Sequence, residues 1–264
     1  MTALPHERRD KIIEILESKD YAEVSYLSGY FNVSEMTIRR DLEKLDRDGQ
    51  IIRVYGGARL VSKTIPEQSF TERAHTHPEE KALIAEAAVR MIEDGDVVAF
   101  DASTSALEVS KRIKHFRSLT VVTNNINIAI ELADVKNIAV ILLGGYLRGK
   151  SLSTTGASLR LYMQSIYIDK AFISSKAISV EEGLTDSTSD EGEAKQAMLQ
   201  KSSQVVVLAD RSKLGTIAFF KVCSSESIDV LITDGLKPMT PRQEEVLDGF
   251  RAVGTNVIVA APGQ

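Results

Sequence analysis

Two sets of residues in this sequence are of the types, and at the spacings, that bind charged molecules. The first is an adjacent pair, Arg39 and Arg40, with Lys44 following on the same stretch. Arginine can grip a guanine edge through two hydrogen bonds or pair with a phosphate, so cations repeating along one helical face suit the groove of a duplex. The second set is spread through the later part of the chain: Asp101-Ala102-Ser103-Thr104-Ser105, Thr123-Asn124-Asn125, Gly144-Gly145 and Asp210-Arg211-Ser212-Lys213. Each follows a run of apolar residues. Hydroxyls and free amides at a helix start attract anions, and paired glycines allow close backbone approach. Lys213 can add a point charge to a phosphate, and Asp101 can accept hydrogen bonds from sugar hydroxyls. Together these residues suggest a phosphorylated sugar or polyol. Singly each has a plainer reading: Ser103–Ser105 and Asn124 as helix caps, Gly144-Gly145 as a turn, Lys213 and the Arg39, Arg40, Lys44 face as solvated charge.

The elements that must hold the arginine pair are legible. Pro5 suits a first helical turn, and Ile12, Ile13 and Leu16 form an apolar stripe behind it. Val24, Leu27 and Phe31 give a second short helix, broken at Asn32-Val33. Ser34 is a good cap for a third, whose buried stripe is Ile38, Leu42 and Leu45 and whose stop is Gly49. Met36, Thr37, Arg40, Lys44 and Arg47 line its outer side, with Arg39 beside them. The acidic Asp41, Glu43, Asp46 and Asp48 fall mostly toward the later turns, which leaves the early turns positive. Residues 50–60 read as two short strands around Gly56-Gly57. Three helices and a small hairpin are the plan of a winged helix-turn-helix, whose third helix enters the major groove. Arg53 and Arg59 on the hairpin are placed for backbone or the minor groove.

Residues 61–75 show no clear period and contain Pro66; they read as a linker. From residue 76 helices and strands alternate. Strands are expected at 97–100, 119–122, 138–143, 171–174, 205–208, 230–233 and 256–260, with helices at about 79–93, 104–113, 191–201 and 241–250. Such an order implies a mainly parallel sheet covered on both faces. Ligands bind outside the carboxyl ends of such strands, so the four loops of the second set should meet on one rim.

Composition bounds the rest. The chain has 264 residues, 43% hydrophobic and 26% charged, which suits a globular protein of two domains. It excludes a disordered chain, a collagen and a disulfide scaffold. Cys223 is the single cysteine, which fits a reducing compartment. No run of about 18 apolar residues exists to span a membrane, and the charged start lacks a signal peptide's apolar core, so a cytoplasmic protein is expected. The net charge of −5 does not advertise a nucleic-acid binder, and residues 1–60 carry 10 Lys and Arg against 11 Asp and Glu. The position of the charges must carry that inference.

The run VSEMTIRRDLEKLDRDGQIIRVYGGA resembles the DNA-binding signature of the DeoR-type family of bacterial sugar-responsive repressors. It departs from that signature at Tyr55, where histidine is usual. The stretches EEKALIAEAAVRMIEDGDVVAFDAST, VVTNN, LLGG, DKAFISS, GLTDS and VLADRSKLG resemble that family's sensor domain, which is itself similar to ribose-5-phosphate isomerases. The resemblance implies a winged helix-turn-helix over 1–60, a linker over 61–75 and an α/β sensor and oligomerisation domain over 76–264. It implies operator DNA as a partner, read by Ser34, Met36, Thr37, Arg39, Arg40, Lys44, Arg53, Tyr55 and Arg59. It implies a sugar-phosphate pocket of Asp101, Ser103, Thr104, Ser105, Asn124, Gly144, Gly145 and Lys213; Ser103 stands where glycine is common and Lys176-Ala177 departs from the usual glycine-containing run, so Lys176 and Asp186 are expected to help select the sugar. The expected function is repression of a sugar or polyol catabolic operon, relieved by the effector, in a dimer or tetramer, with no cofactor or metal.

The alternative is an isomerase. Proton transfer between adjacent carbons needs a poised carboxylate, and Glu193 resembles the stretch that bears it. The lysine loop and the paired acidic motif of those enzymes have no counterpart here: GLTDSTS and SSKAIS stand in their places. A pocket without the acid–base set is a sensor. A metal-dependent nuclease has less support still, because His75 and His77 have no carboxylate–histidine cluster beside them.

Overall fold

The computed structural model describes residues 5–19, 21–47, 50–54, 56–60 and 68–263 and forms two compact units, Met1–Glu67 and Gln68–Gln264. In the first unit the order is α1 (Pro5–Lys19), β1 (Ala22–Glu23), α2 (Val24–Phe31), α3 (Glu35–Arg47), β2 (Ile51–Val54) and β3 (Gly57–Leu60). The apolar stripes of the three helices meet in one core of Ile12, Leu16, Leu27, Ile38, Leu42 and Leu45, closed by Ile51 and Ala58. α2 ends at Asn32 in the left-handed region (φ 50°), which turns the chain toward α3. Ser34 Oγ accepts the Thr37 amide at 3.3 Å and so caps α3 as expected.

Two features of this unit were not foreseen. β1 pairs with β3, giving the sheet order β1-β3-β2; two residues are too few to show a period. The pairing requires Gly57, where a Cβ would lie 2.4 Å from the Ala22 carbonyl oxygen. Asp41, expected among the surface acids of α3, is buried. It accepts Arg8 Nε at 2.6 Å and faces Arg9 at 3.6 Å, joining α3 to α1. Gly49, the expected stop of α3, lies outside the described residues.

The second unit runs α4 (Phe70–His75), α5 (Pro78–Val89), β4 (Val97–Phe100), α6 (Thr104–Arg112), β5 (Leu119–Thr123), α7 (Ile126–Leu132) and β6 (Ile138–Leu142). A hairpin follows, β7 (Tyr146–Arg148) and β8 (Ser153–Thr155), then α8 (Ala157–Met163), β9 (Ile168–Ile173), β10 (Ala177–Ser179), β11 (Gly183–Asp186) and α9 (Ser189–Leu199). It ends with β12 (Ser202–Leu208), β13 (Phe220–Cys223), β14 (Val230–Asp234), α10 (Pro241–Ala252) and β15 (Asn256–Ala260). Seven strands form one sheet in the order β15-β14-β12-β9-β4-β5-β6, and every pairing in it is parallel. Side chains alternate between two cores: Val98, Phe100, Val121, Phe172 and Val206 on one face, Ala99, Val122, Ala171, Ile173 and Val207 on the other.

The stretch at 68–75, read from the sequence as the end of a linker, holds α4. Ser69 and Glu72 close a reciprocal capping box on it, and Phe70 is buried. Residues 61–67 lie outside the described ones. The hairpin β7–β8 and the small antiparallel sheet β10-β11-β13 were not foreseen, because strands of three or four residues carry almost no periodic signal.

Candidate functional site

From β4 the chain steps outward along the sheet through β5 to β6. From β9 it steps the other way, through β12 and β14 to β15. The order reverses between β4 and β9, which lie side by side, and such a switch point opens a crevice beyond the carboxyl ends of the two strands. Asp101 follows β4 and Ser174 follows β9. The Asp101 carboxylate accepts the Ser174 amide at 3.1 Å and the Ser103 amide at 3.3 Å, so the two loops are locked together.

A buried charge network grows from that contact. Lys195 Nζ, on α9, lies 3.3 Å from Asp101 and 3.0 Å from Asp186 at the end of β11. Lys213 Nζ donates to Ser174 Oγ at 2.7 Å and lies 3.9 Å from Asp210. Asp101, Asp186 and Lys213, expected at the site from the sequence, are thus joined through Ser174 and Lys195. Burial raises the Asp101 pKa above the ordinary value, against the pull of Lys195 and of the Ser103 and Ser174 hydrogen bonds. Lys195 is also buried, but Asp186, Asp101 and Glu191 outweigh that and raise its pKa. Lys213 goes the other way: burial lowers its pKa despite Asp210, Asp101 and Asp186. Burial would raise Asp210, yet Lys213 and Ser212 hold it below its ordinary value.

The remaining expected ligand residues lie on the loops after β4, β5 and β6, apart from Lys176. Ser103 caps α6 by accepting the Ala106 amide at 3.0 Å, and Thr104 and Ser105 are buried in the first turn. The capping reading of Ser103 therefore holds. Asn124 follows β5 and donates to the Thr154 carbonyl at 3.0 Å; its own Oδ1 is buried with no partner among the described residues. Such an acceptor is expensive to bury and would be satisfied by a ligand hydroxyl. Gly145, at φ 152°, lies so close to β8 that a Cβ would be 2.2 Å from the Thr155 carbonyl oxygen, whereas a Cβ on Gly144 would meet open space. Lys176 is exposed on the turn before β10, outside the bonded network.

Three cations near the network went unnoticed in the sequence. Lys195 and Lys81 are buried, and Arg73 is partly buried with its Nε unpartnered among the described residues. Lys81 Nζ donates to the carbonyls of Arg73 and Thr76. Burial, and then the charge of Lys213, push its pKa down to about 8. A signal was available: Lys81 lies on the same helical face as Ile84, Ala85 and Ala88, and Lys195 beside Ala194 and Met198, where a charge is out of place unless it has a task.

The Glu193 side chain is about half exposed and paired with Arg160 across a surface groove of about 580 Å³ between α8 and α9. Its buried neighbour Glu191 is bonded to Arg148 at 2.9 Å and accepts from Ser153 at 2.5 Å, which fastens the β7–β8 hairpin to α9. Among the described residues no His, Cys, Asp and Glu cluster could hold a metal ion.

On the first unit, Met36, Arg39, Arg40 and Lys44 are exposed along one side of α3, with Thr37 half-buried between them. Arg39 lies 3.4 Å from Glu35, while Arg40 and Lys44 make no ion pair among the described residues. Arg53 on β2 lies 3.3 Å from Glu43. Arg59 is on β3 but its side chain is outside the described ones, as is Tyr55 altogether.

The family described as DeoR C terminal sensor domain matches residues 76–235, and the DeoR-like helix-turn-helix domain matches residues 8–64. The chain is 37% identical over 241 residues to the HTH-type transcriptional regulator GlpR of Haloferax volcanii, covering 91% of this chain and 94% of that one. It is 38% identical over 230 residues to the HTH-type transcriptional repressor GlcR of Bacillus subtilis, covering 87% and 88%. Ribose 5-phosphate isomerase A of Methanocaldococcus jannaschii is similar over 53% of this chain and 55% of its own at 15% identity, with a TM-score of 0.40; nothing about activity rests on that likeness.

Proposed function

This chain belongs to the DeoR family of helix-turn-helix transcriptional regulators, and from that premise we propose that it is a repressor released from its operator by a phosphorylated sugar or polyol. The single observation that carries the ligand half is the network at the β4/β9 switch point. There Asp101, Asp186 and the unpartnered Asn124 Oδ1 offer acceptors to hydroxyls, while Lys213, Lys81 and the first turn of α6 offer positive charge to a phosphoryl group. Acceptors and cations close together in one network suit a molecule that carries both hydroxyls and a phosphoryl group.

Ser34, Met36, Thr37, Arg39, Arg40 and Lys44 present the exposed side of α3 to base edges and phosphates, with Arg53, Tyr55 and Arg59 on the hairpin beside it. Lys176 is the candidate for sugar selection from the rim. Two half-sites about 34 Å apart on DNA call for two copies of α3, so the working form is a dimer or tetramer. Its compartment is the one that holds the DNA, the cytoplasm. The effector acts by binding one arrangement of the protein better than the other.

A thermal-shift screen of phosphorylated sugars and polyols, followed by footprinting on the chain's own promoter with and without the hit, tests this. A hit should raise the melting temperature and weaken the footprint. If no phosphorylated carbohydrate changes the melt, the ligand reading is lost; an unprotected promoter at low salt removes the operator reading.

A further inference from the structure

Lys81 stands at a junction. It is the fourth residue of α5, yet its side chain runs back to α4, where the ammonium donates to the carbonyls of Arg73 and Thr76 at the C-terminal end of that helix. An ammonium has three protons to donate. Two are used on α4, and no third acceptor is found among the described residues. The groups whose charges act on it include Lys213 and Asp210 of the loop after β12, with Arg73 and Glu108. Arg73 acts in the same way on Lys213, and its Nε is buried with no hydrogen-bond partner among the described residues. Three cations drawn together in a largely buried place, with Asp210 and Glu108 as counter-charges for Lys81, are a standing cost that a bound anion would relieve.

α4 is also the first element of its unit, beginning three residues after the unit boundary at Glu67. It is held at one end by the Ser69–Glu72 box and by Phe70, whose amide donates to the Lys150 carbonyl at 2.7 Å. At the other end it is held by Lys81. Resting on the ligand reading given above, we infer that Lys81 is the residue through which an occupied crevice acts on α4: two of its protons hold the last carbonyls of the helix, and the third is offered to the ligand's anionic group. Lys81 is then a positioning residue that ties ligand charge to the segment leading back toward the DNA-reading unit.

Hydrogen exchange on the full chain, with inorganic phosphate as the probe against chloride at equal ionic strength, tests this. With phosphate at about ten times its Kd, amides that open only when the site is empty should exchange roughly tenfold more slowly. The slowing is expected at 103–107, at 211–214 and, decisively, at 71–76. In Lys81→Met the response at 71–76 should vanish while that at 211–214 persists in weakened form. Lys81→Arg, which keeps charge and donors, should retain the response at 71–76. Slowing at 103–107 and 211–214 of the unaltered chain without any at 71–76 overturns the inference and leaves the anion site standing. No slowing at either place removes the anion site and the inference with it. The comparison within the unaltered chain holds even if the methionine variant does not fold.

Discussion

Arg40 and Lys44 are exposed cations without ion-pair partners among the described residues, whereas Arg39 faces Glu35. The Arg40 guanidinium is therefore free to meet a base edge or phosphate without first breaking a contact. Arg40→Ala should weaken specific operator binding by about 1–3 kcal/mol, read by footprinting titration, and leave effector binding unchanged. In the crevice, Lys213→Met should weaken effector binding at least about tenfold, as loss of a charge-assisted bond does, without altering operator affinity in the absence of effector. Lys81 adds a pH dependence. Unfolded, it holds its proton up to its ordinary value of 10.5; folded, it gives the proton up near 8. Between those values the unfolded chain binds more protons, so this group makes stability rise with pH. Effector binding should show the opposite slope, because an anion prefers the protonated lysine. A phosphoryl group, with its second pKa near 6, is already fully charged there. Affinity measured by calorimetry should fall as pH rises through 8, and Lys81→Met should flatten the curve.

Elements set these residues at their distances. α3 is anchored to α1 by Asp41 between Arg8 and Arg9, a buried ion pair that is broken if the carboxylate is removed. Asp41→Ala should destabilise the first unit by about 3–5 kcal/mol in urea titration followed by circular dichroism. Operator binding would then be lost through folding and not through contact. The β7–β8 hairpin is fixed to α9 by Arg148 and Glu191, and to the loop after β5 by Asn124. Gly145 lets the chain entering β7 lie against β8: at its φ of 152° a Cβ would be 2.2 Å from the Thr155 carbonyl oxygen, which leaves no room for a methyl group. Gly145→Ala should lower the melting temperature, by roughly 2–4 °C for each kcal/mol of strain. It should also impair effector binding, because Asn124 moves with β8.

At the scale of the molecule, each unit has its own closed core. The first is built on Ile12, Leu27, Ile38 and Leu42; the second has one core on each face of its sheet. A fragment beginning at residue 68 should remain folded and bind the effector with affinity close to that of the full chain, measured by calorimetry. It should show no affinity for operator DNA. A fragment that melts without cooperativity would mean that the sensor depends on the first unit for its stability.

The sequence by itself determined the two-unit plan, the third helix with its exposed cations, and the parallel alternation with its rim of loops. Those follow from local periodicity, caps and turns, which act within a few residues. Asp101 and Lys213 were legible as candidates because they lie in loops after expected strands, whereas Asp186 entered only through the family resemblance. Tertiary structure alone decided which buried charges meet them: Lys195 reaches Asp101 and Asp186 from α9, and Lys81 crosses from α5 to the carbonyls of α4. It also decided that Asp41 turns inward and that Glu193 turns outward. A lysine's four-carbon stem can carry its charge to either face of its helix. Which face it takes depends on partners distant in sequence, and no local pattern encodes where those partners lie.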